Sequence, residues 1–318
     1  MDINFVNNSN GGVGAYIGRV KNPIGLFNET RDFAHTREGI LIPQSAYFDR
    51  IRNTILSSDG IHLYGSRYID NDVLMFQFGS GYAPIDENLE YEFFGQAFDG
   101  KLRMKRPGLF GRILFEKDGG RWIYSLTSAR VRFDFRPAGT DLLPPPDGPA
   151  LTKGNFQLDH TVLSVQHNAE KWRFTAEAVY QYIDYTDISP AFDFLTTNAV
   201  AYLLQANYQF NRSWQAFIRY EEFQLDKNSW NGRALARGSR VVTDQLAQFG
   251  INQNPMPEHV FYYKNIAIGG RWDITPSLMM RAEYHWSNGT AILSPREFDL
   301  ASSKRRWNVF SLALAYRF

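Results

Sequence analysis

Arginine and glutamate recur at alternate positions along much of the chain, the spacing at which side chains of an extended strand share one face. Arg173 and Glu177, Arg219 and Glu221, and Arg281 and Glu283 fall in such phases, and Arg19, Arg112, Arg130, Arg132, Arg271 and Arg317 are placed similarly. A fixed row of guanidiniums holds carboxylates and phosphates in forked geometry and biases the passage of ions by charge. That chemistry selects by charge and makes no bonds. Groups suited to bond-making are sparse. The absence of cysteine excludes thiolate metal sites, disulfides and cysteine nucleophiles. The six histidines, at positions 35, 62, 160, 167, 259 and 285, show no metal-ligand spacing. His285 and Ser287 have the spacing of a base and a nucleophile on one strand, on the face opposite apolar Trp286. The glycines of GGVGAYIG (11–18) lack the G-x-G-x-x-G fingerprint. No cofactor is expected.

The elements that carry these residues follow from a period of two. In Leu278 to Trp286, Leu278, Met280, Ala282, Tyr284 and Trp286 share one face, and Arg281, Glu283 and His285 lie on the other. Trp172, Phe174, Ala176, Ala178, Tyr180 and Tyr182 alternate with Arg173, Thr175, Glu177 and Gln181, and Val200 to Phe210 repeats the pattern. A helix would scatter these residues around its axis. Such segments run about 12–16 residues, whereas globular strands average about 5–6. A tilted strand of ~10 residues crosses the hydrocarbon of a bilayer, and the remainder reaches into the interfaces. One face is continuously aromatic and aliphatic while the other is polar, the reverse of a soluble barrel.

Composition agrees. The 34 Lys+Arg nearly balance the 33 Asp+Glu, which argues against a nucleic-acid partner. Aromatics form 15% of a chain whose mean hydropathy is only −0.37. No apolar run is long enough for a transmembrane helix. The opening MDINFVNNSNGG has neither a basic nor an apolar signal region, so a mature or truncated product is expected.

Twelve strands are predicted, at about 11–20, 59–67, 71–82, 108–117, 120–135, 155–167, 170–185, 197–210, 213–227, 259–273, 276–290 and 304–318. Short links such as EKDGGR (116–121), HNAEK (167–171) and DITPS (273–277) alternate with long polar ones at 82–107, 136–154, 186–196, 227–258 and 290–303. This asymmetry is that of short periplasmic turns and long external loops. The fold class is therefore all-β, a transmembrane antiparallel β-barrel forming one domain over residues 1–318, with no segment that suggests a second.

The chain closes on FSLALAYRF, in which Phe310, Leu312, Leu314, Tyr316 and Phe318 alternate. This ending resembles the last strand of Gram-negative outer-membrane proteins, whose terminal Phe is read by the barrel-assembly machinery; Tyr316 and Phe318 would carry that signal. The stretch GRVKNPIGLFNETRD…ILIPQSAYFDR…DGIHLYG (18–65) is similar to porins of proteobacteria of the classical trimeric type. That resemblance implies sixteen strands, a homotrimer in the outer membrane among lipid and lipopolysaccharide, and a long third loop folded into the lumen. Residues 21–58 fit such a loop. They carry Phe27, Phe33, Ile40, Leu41, Ile42, Tyr47, Phe48, Ile51, Ile55 and Leu56, apolar enough to pack inside a barrel, and PQSAYFDRIRNTIL could form a short helix. If 21–58 is the third loop, strand 11–20 is the fifth and four others precede it.

The function implied is passive diffusion of small hydrophilic solutes and ions, not catalysis. On the wall, Arg19, Arg112, Arg130, Arg132, Arg173, Arg219, Arg271, Arg281 and Arg317 outnumber Glu116, Asp134, Glu177, Glu221 and Glu283. Facing the loop acids Glu29, Asp32, Glu38 and Asp49, this ladder would set a transverse field with a mild anion preference. Arg31, Arg37, Arg50 and Arg52 on the loop are candidates for the narrowest point. The other class is a barrel enzyme, or an adhesin or receptor that binds through the loops at 136–154 and 227–258.

Overall fold

The computed structural model describes residues 1–95, 99–141, 151–248, 250 and 252–317. Among them are fourteen strands: β1 (Asp2–Asn8), β2 (Gly11–Lys21), β3 (Ser57–Ile69), β4 (Asp72–Tyr82), β5 (Lys101–Arg103), β6 (Gly108–Lys117), β7 (Trp122–Arg136), β8 (Gly154–Asn168), β9 (Trp172–Thr186), β10 (Thr197–Gln209), β11 (Trp214–Gln224), β12 (Tyr262–Asp273), β13 (Leu278–Asn288) and β14 (Arg306–Tyr316). All are antiparallel and pair in chain order, except that the three-residue β5 pairs only with β7. Each of the twelve expected strands is present, with ends shifted by a few residues.

Two strands were not anticipated. β1 pairs with β2 through a register shift between Asn4 and Val6. That bulge brings Phe5 and Val6 both to the surface and breaks the period on which strand detection depends. β5 has three residues, too few to show a period. The sheet is not closed: its edges β1 and β14 do not pair among the described residues. With thirteen strands alternating in direction, these two edges run the same way.

The outward face of the sheet is an apolar belt. Ile61, Leu63, Leu109, Leu163, Leu204, Ile218, Phe310, Leu312 and Leu314 are all at least half exposed, Leu314 at 67%. A soluble surface does not present so large a contiguous patch. Rings gather at the short-turn ends, where Trp214 stacks on Trp272 at 5.1 Å and Trp172 leans on Tyr208 at 4.7 Å between centroids. Amphipathic rings favour the headgroup level of a bilayer. Turns at this rim are tight, and Asp118, Gly119 and Gly120 all take positive φ between β6 and β7.

At the opposite, long-loop rim the pattern inverts. On β7, Val131, Phe133 and Phe135 turn inward and are buried, while Arg130, Arg132 and Arg136 face out. Phe133 and Phe135 join Phe156, Tyr185, Phe192 and Phe94 in a buried aromatic cluster. Phe94 ends helix α2 (Glu87–Phe94), which starts at Asp86, whose carboxylate accepts from the Leu89 amide. The expected helix within residues 21–58 is a 3-10 turn at Asp49–Ile51 running into α1 (Arg52–Leu56). The long loop after β11 holds α3 (Arg233–Ala247), an amphipathic helix with Leu235 buried against the loops beneath. The Pro-rich stretch 142–149 and Phe318 lie outside the described residues.

Candidate functional site

Residues 22–56 lie against the inward face of the sheet, and the wall holds them by their backbone. The Glu283 carboxylate on β13 accepts from the amides of Ile40 at 2.7 Å and Leu41 at 2.9 Å. Glu221 on β11 accepts from the Ser45 amide at 3.0 Å. Glu177 on β9 accepts from the Leu26 amide at 3.0 Å and from the Tyr47 hydroxyl at 2.8 Å. Wall arginines take the carbonyls: Arg219 donates to Leu41 O at 3.0 Å, Arg271 to His35 O at 2.8 Å, and Arg281 to Gly39 O. A loop backbone has no ladder of its own, and a buried amide or carbonyl without a partner costs about 1–3 kcal/mol. The strand side chains supply those partners.

Tyr47 is the centre of the attachment. It is fully buried, and its oxygen also accepts from the Leu26 amide at 2.9 Å. Burial, followed by the charge of Glu177, pushes its phenol well above the usual range, so it remains a donor. Gly25 makes the approach feasible. Its φ is +52°, and a Cβ there would lie 1.8 Å from the Tyr47 oxygen.

The expected site residues separate into three groups. Arg112 pairs with Glu29 and Arg173 with Glu38, each joining wall to loop. Within the loop, Arg31 pairs with Asp49, and Asp32 receives Arg52 and, at 3.3 Å, Lys21. Burial pushes the Asp32 carboxyl up, but hydrogen bonds from Arg52 and Lys21 outweigh it and hold the group below its ordinary value. Burial lowers Arg31 despite Asp49. Arg50 turns away, to Glu92 of α2 at 2.6 Å and Leu293 O at 3.0 Å. Arg37, lowered by burial, donates to Ile40 O and makes no ion pair among the described residues.

The third group corrects the expected wall. Arg19, Arg130 and Arg132 face outward near the long-loop rim. Arg19 forks onto Asp59 and Arg130 onto Asp159, both arginine side chains 64% exposed, and Arg132 reaches Gln157. The assignment failed because it took apolar residues as lipid-facing along the whole strand. Above the hydrocarbon level the apolar face of β7 is the inner one. Asp134 shares this outward phase and pairs with Lys105. Arg317 sits beyond β14, donating to Pro276 O at the short-turn rim. Tyr316 is exposed on the apolar belt.

The roles of Glu177, Glu221, Glu283 and Tyr47 as loop anchors were not legible in the sequence. An acid on the inward phase of a strand reads as a solvated wall residue, and only the docked backbone distinguishes it.

His285 and Ser287 are buried and inward. His285 contacts Glu283 at 3.0 Å and Asn265 at 3.1 Å, and the Ser287 hydroxyl donates to Asn265 at 3.2 Å. Each is engaged by Asn265, and no hydrogen bond joins them.

No protein-family model and no curated protein sequence matches the chain. Solved structures do. The outer-membrane expressed OmpT of Vibrio cholerae is 10% identical with a TM-score of 0.54, over 98% of this chain and 78% of that one. The outer-membrane channel DcaP of Acinetobacter baumannii is 9% identical with a TM-score of 0.52, over 99% of this chain and 83% of that one. The fold is that of a bacterial outer-membrane β-barrel. The lipid-facing belt, ring-rich rim and alternating link lengths are the features of that barrel class. Within the barrel fold, residues 22–56 occupy the inner side.

Proposed function

We propose that this barrel is a porin of the trimeric, sixteen-strand general type, a passive diffusion channel of the outer membrane for small hydrophilic solutes and ions. The observation that carries this reading is the inward loop fixed to β9, β11, β12 and β13 by carboxylates and arginines. A loop held at many points narrows a lumen to a constant width, whereas a plug that must move needs few attachments. In a trimer solved for OmpT of Vibrio cholerae the barrel fold recurs at 8% identity and a TM-score of 0.52; a homotrimer is proposed here too, as is recognition of the last strand by the barrel-assembly machinery.

The anion preference is proposed to be mild. Most guanidiniums of the inward wall and of residues 22–56 are matched locally by acids, and neutralised pairs give weak fields at a distance. Of the arginines on the inward wall and on residues 22–56, Arg37 and Arg281 make no ion pair among the described residues and are held by carbonyls. No turnover is proposed, since the Ser287 hydroxyl is directed at Asn265 and not at His285.

The test is single-channel conductance in a planar bilayer under a KCl gradient. Stepwise, persistent openings with a small anion-selective reversal potential are expected. Folded protein that never conducts would overturn the pore, and a cation-selective potential would overturn the preference.

A further inference from the structure

Between the inward loop and the external loops lies a cavity of about 270 Å³. Its walls come from separate stretches of the chain: Phe48 and Ile51 of the inward loop, the end of α2, the top of β9 and the link after it, the top of β11, and the links before β12 and after β13. Eight lining residues are aromatic, among them Phe48, Phe94, Tyr185, Phe192, Phe223 and Phe261. The rings are set against one another. Phe94 meets Tyr185 edge-on at 5.8 Å and Phe192 at 5.5 Å, and Phe48 meets Phe223 edge-on at 5.3 Å. Such a pocket presents ring edges and faces to a ring. An apolar cavity of roughly 150 Å³ already holds benzene, so the volume admits one substituted ring.

Arg50 and Glu92 are the charged residues that line it. They pair at 2.6 Å, with 16% and 10% of their side chains accessible. The contact is single-pronged: Arg50 Nε and Glu92 Oε2, both inaccessible, have no hydrogen-bond partner. The accessible edge of the pair is a dipole of zero net charge. An anion entering here would meet a guanidinium already neutralised and would lose its hydration uncompensated. A purely apolar ring would leave the dipole covered and unpaired. A neutral ring with one hydroxyl satisfies both conditions, its oxygen set against the partly accessible edge of the pair.

We infer that this cavity is a binding site for a neutral monohydroxylated aromatic, a ligand of the phenol class, on the external side of the inward loop. The burial-driven rise of Glu92 to about 7 agrees with a carboxylate poorly solvated in this pocket. The site names a solute class for the proposed channel, but it does not require the channel to conduct.

Binding is read by ¹⁹F NMR on the full chain in phospholipid nanodiscs, with 4-fluorophenol, fluorobenzene and 4-fluorobenzoate as probes and empty discs as the partition control. At pH 8, saturable 4-fluorophenol binding at least tenfold tighter than either of the others is expected. Ala291→Phe, which fills the cavity, should abolish it. Glu92→Gln keeps the shape but leaves Arg50 unneutralised, so preference should swing towards 4-fluorobenzoate by tenfold or more. Signal no greater than in empty discs, or wild-type preference for benzoate or for fluorobenzene, overturns the inference. Unchanged preference in Glu92→Gln overturns the role of the pair even if Ala291→Phe fails to fold. Conductance on the same preparation separates the two readings. Phenol binding without conductance refutes the pore alone, and conductance without phenol binding refutes this site alone.

Discussion

At the scale of single residues, the inner wall works through desolvated carboxylates that accept backbone amides. Tyr47 shows the consequence. Its hydroxyl donates to Glu177 and accepts from Leu26, so Tyr47→Phe strips a partner from a buried carboxylate and an amide together. The expected loss is about 1–3 kcal/mol in urea unfolding from lipid vesicles, against little change for an exposed tyrosine such as Tyr68. Arg37 probes electrostatics without this anchoring. It carries one hydrogen bond to Ile40 O and no ion pair among the described residues. Arg37→Glu should leave the fold intact and move the reversal potential towards cations, read under the same KCl gradient. An unmoved potential places Arg37 off the conduction path.

At the scale of elements, residues 22–56 carry almost no regular structure beyond α1 and two 3-10 turns, yet Ala46, Tyr47 and Asn28 are fully buried. Order in such a segment comes from its partners, since β9, β11, β12 and β13 supply the hydrogen bonds that a helix would supply to itself. The strands, by contrast, are held by their own ladders and do not need the loop. Replacing residues 26–54 with a short Gly-Ser link should therefore leave the barrel folded and raise single-channel conductance at least twofold. Equal conductance would show that the loop does not set the width. Helix α3 is a different sort of element, amphipathic with Leu235, Ser239 and Thr243 buried, and it lies over the external loops.

At the scale of the whole molecule, the apolar belt requires a bilayer or detergent, and ladder hydrogen bonds bind each strand to its neighbours. Barrels of this kind resist detergent until heated. The chain should migrate faster on a gel unheated than boiled, with the folded band lost in a single step. A chain that migrates identically in both conditions has no such barrel. The open edges β1 and β14 run in the same direction, so a direct pairing between them would be parallel, unlike every other pairing in the sheet.

The sequence by itself determined the fold class and twelve of the strands, because a strand across a bilayer must alternate between lipid and a polar interior, and period two is a local property. It also marked residues 21–58 as a loop too apolar to hang in solvent. It misled on Arg19, Arg130 and Arg132, since the meaning of an apolar face reverses above the hydrocarbon level, where Phe133 and Phe135 pack inward. It missed β1, whose bulge at Asn4 and Val6 interrupts the period. What only the tertiary structure decided was pairing at long range. Glu283 reaches Ile40 and Leu41, Glu177 reaches Tyr47, and Arg50 meets Glu92 under a cage of rings. Those partners lie tens to hundreds of positions apart, and no spacing within a strand records which distant backbone will be brought against it.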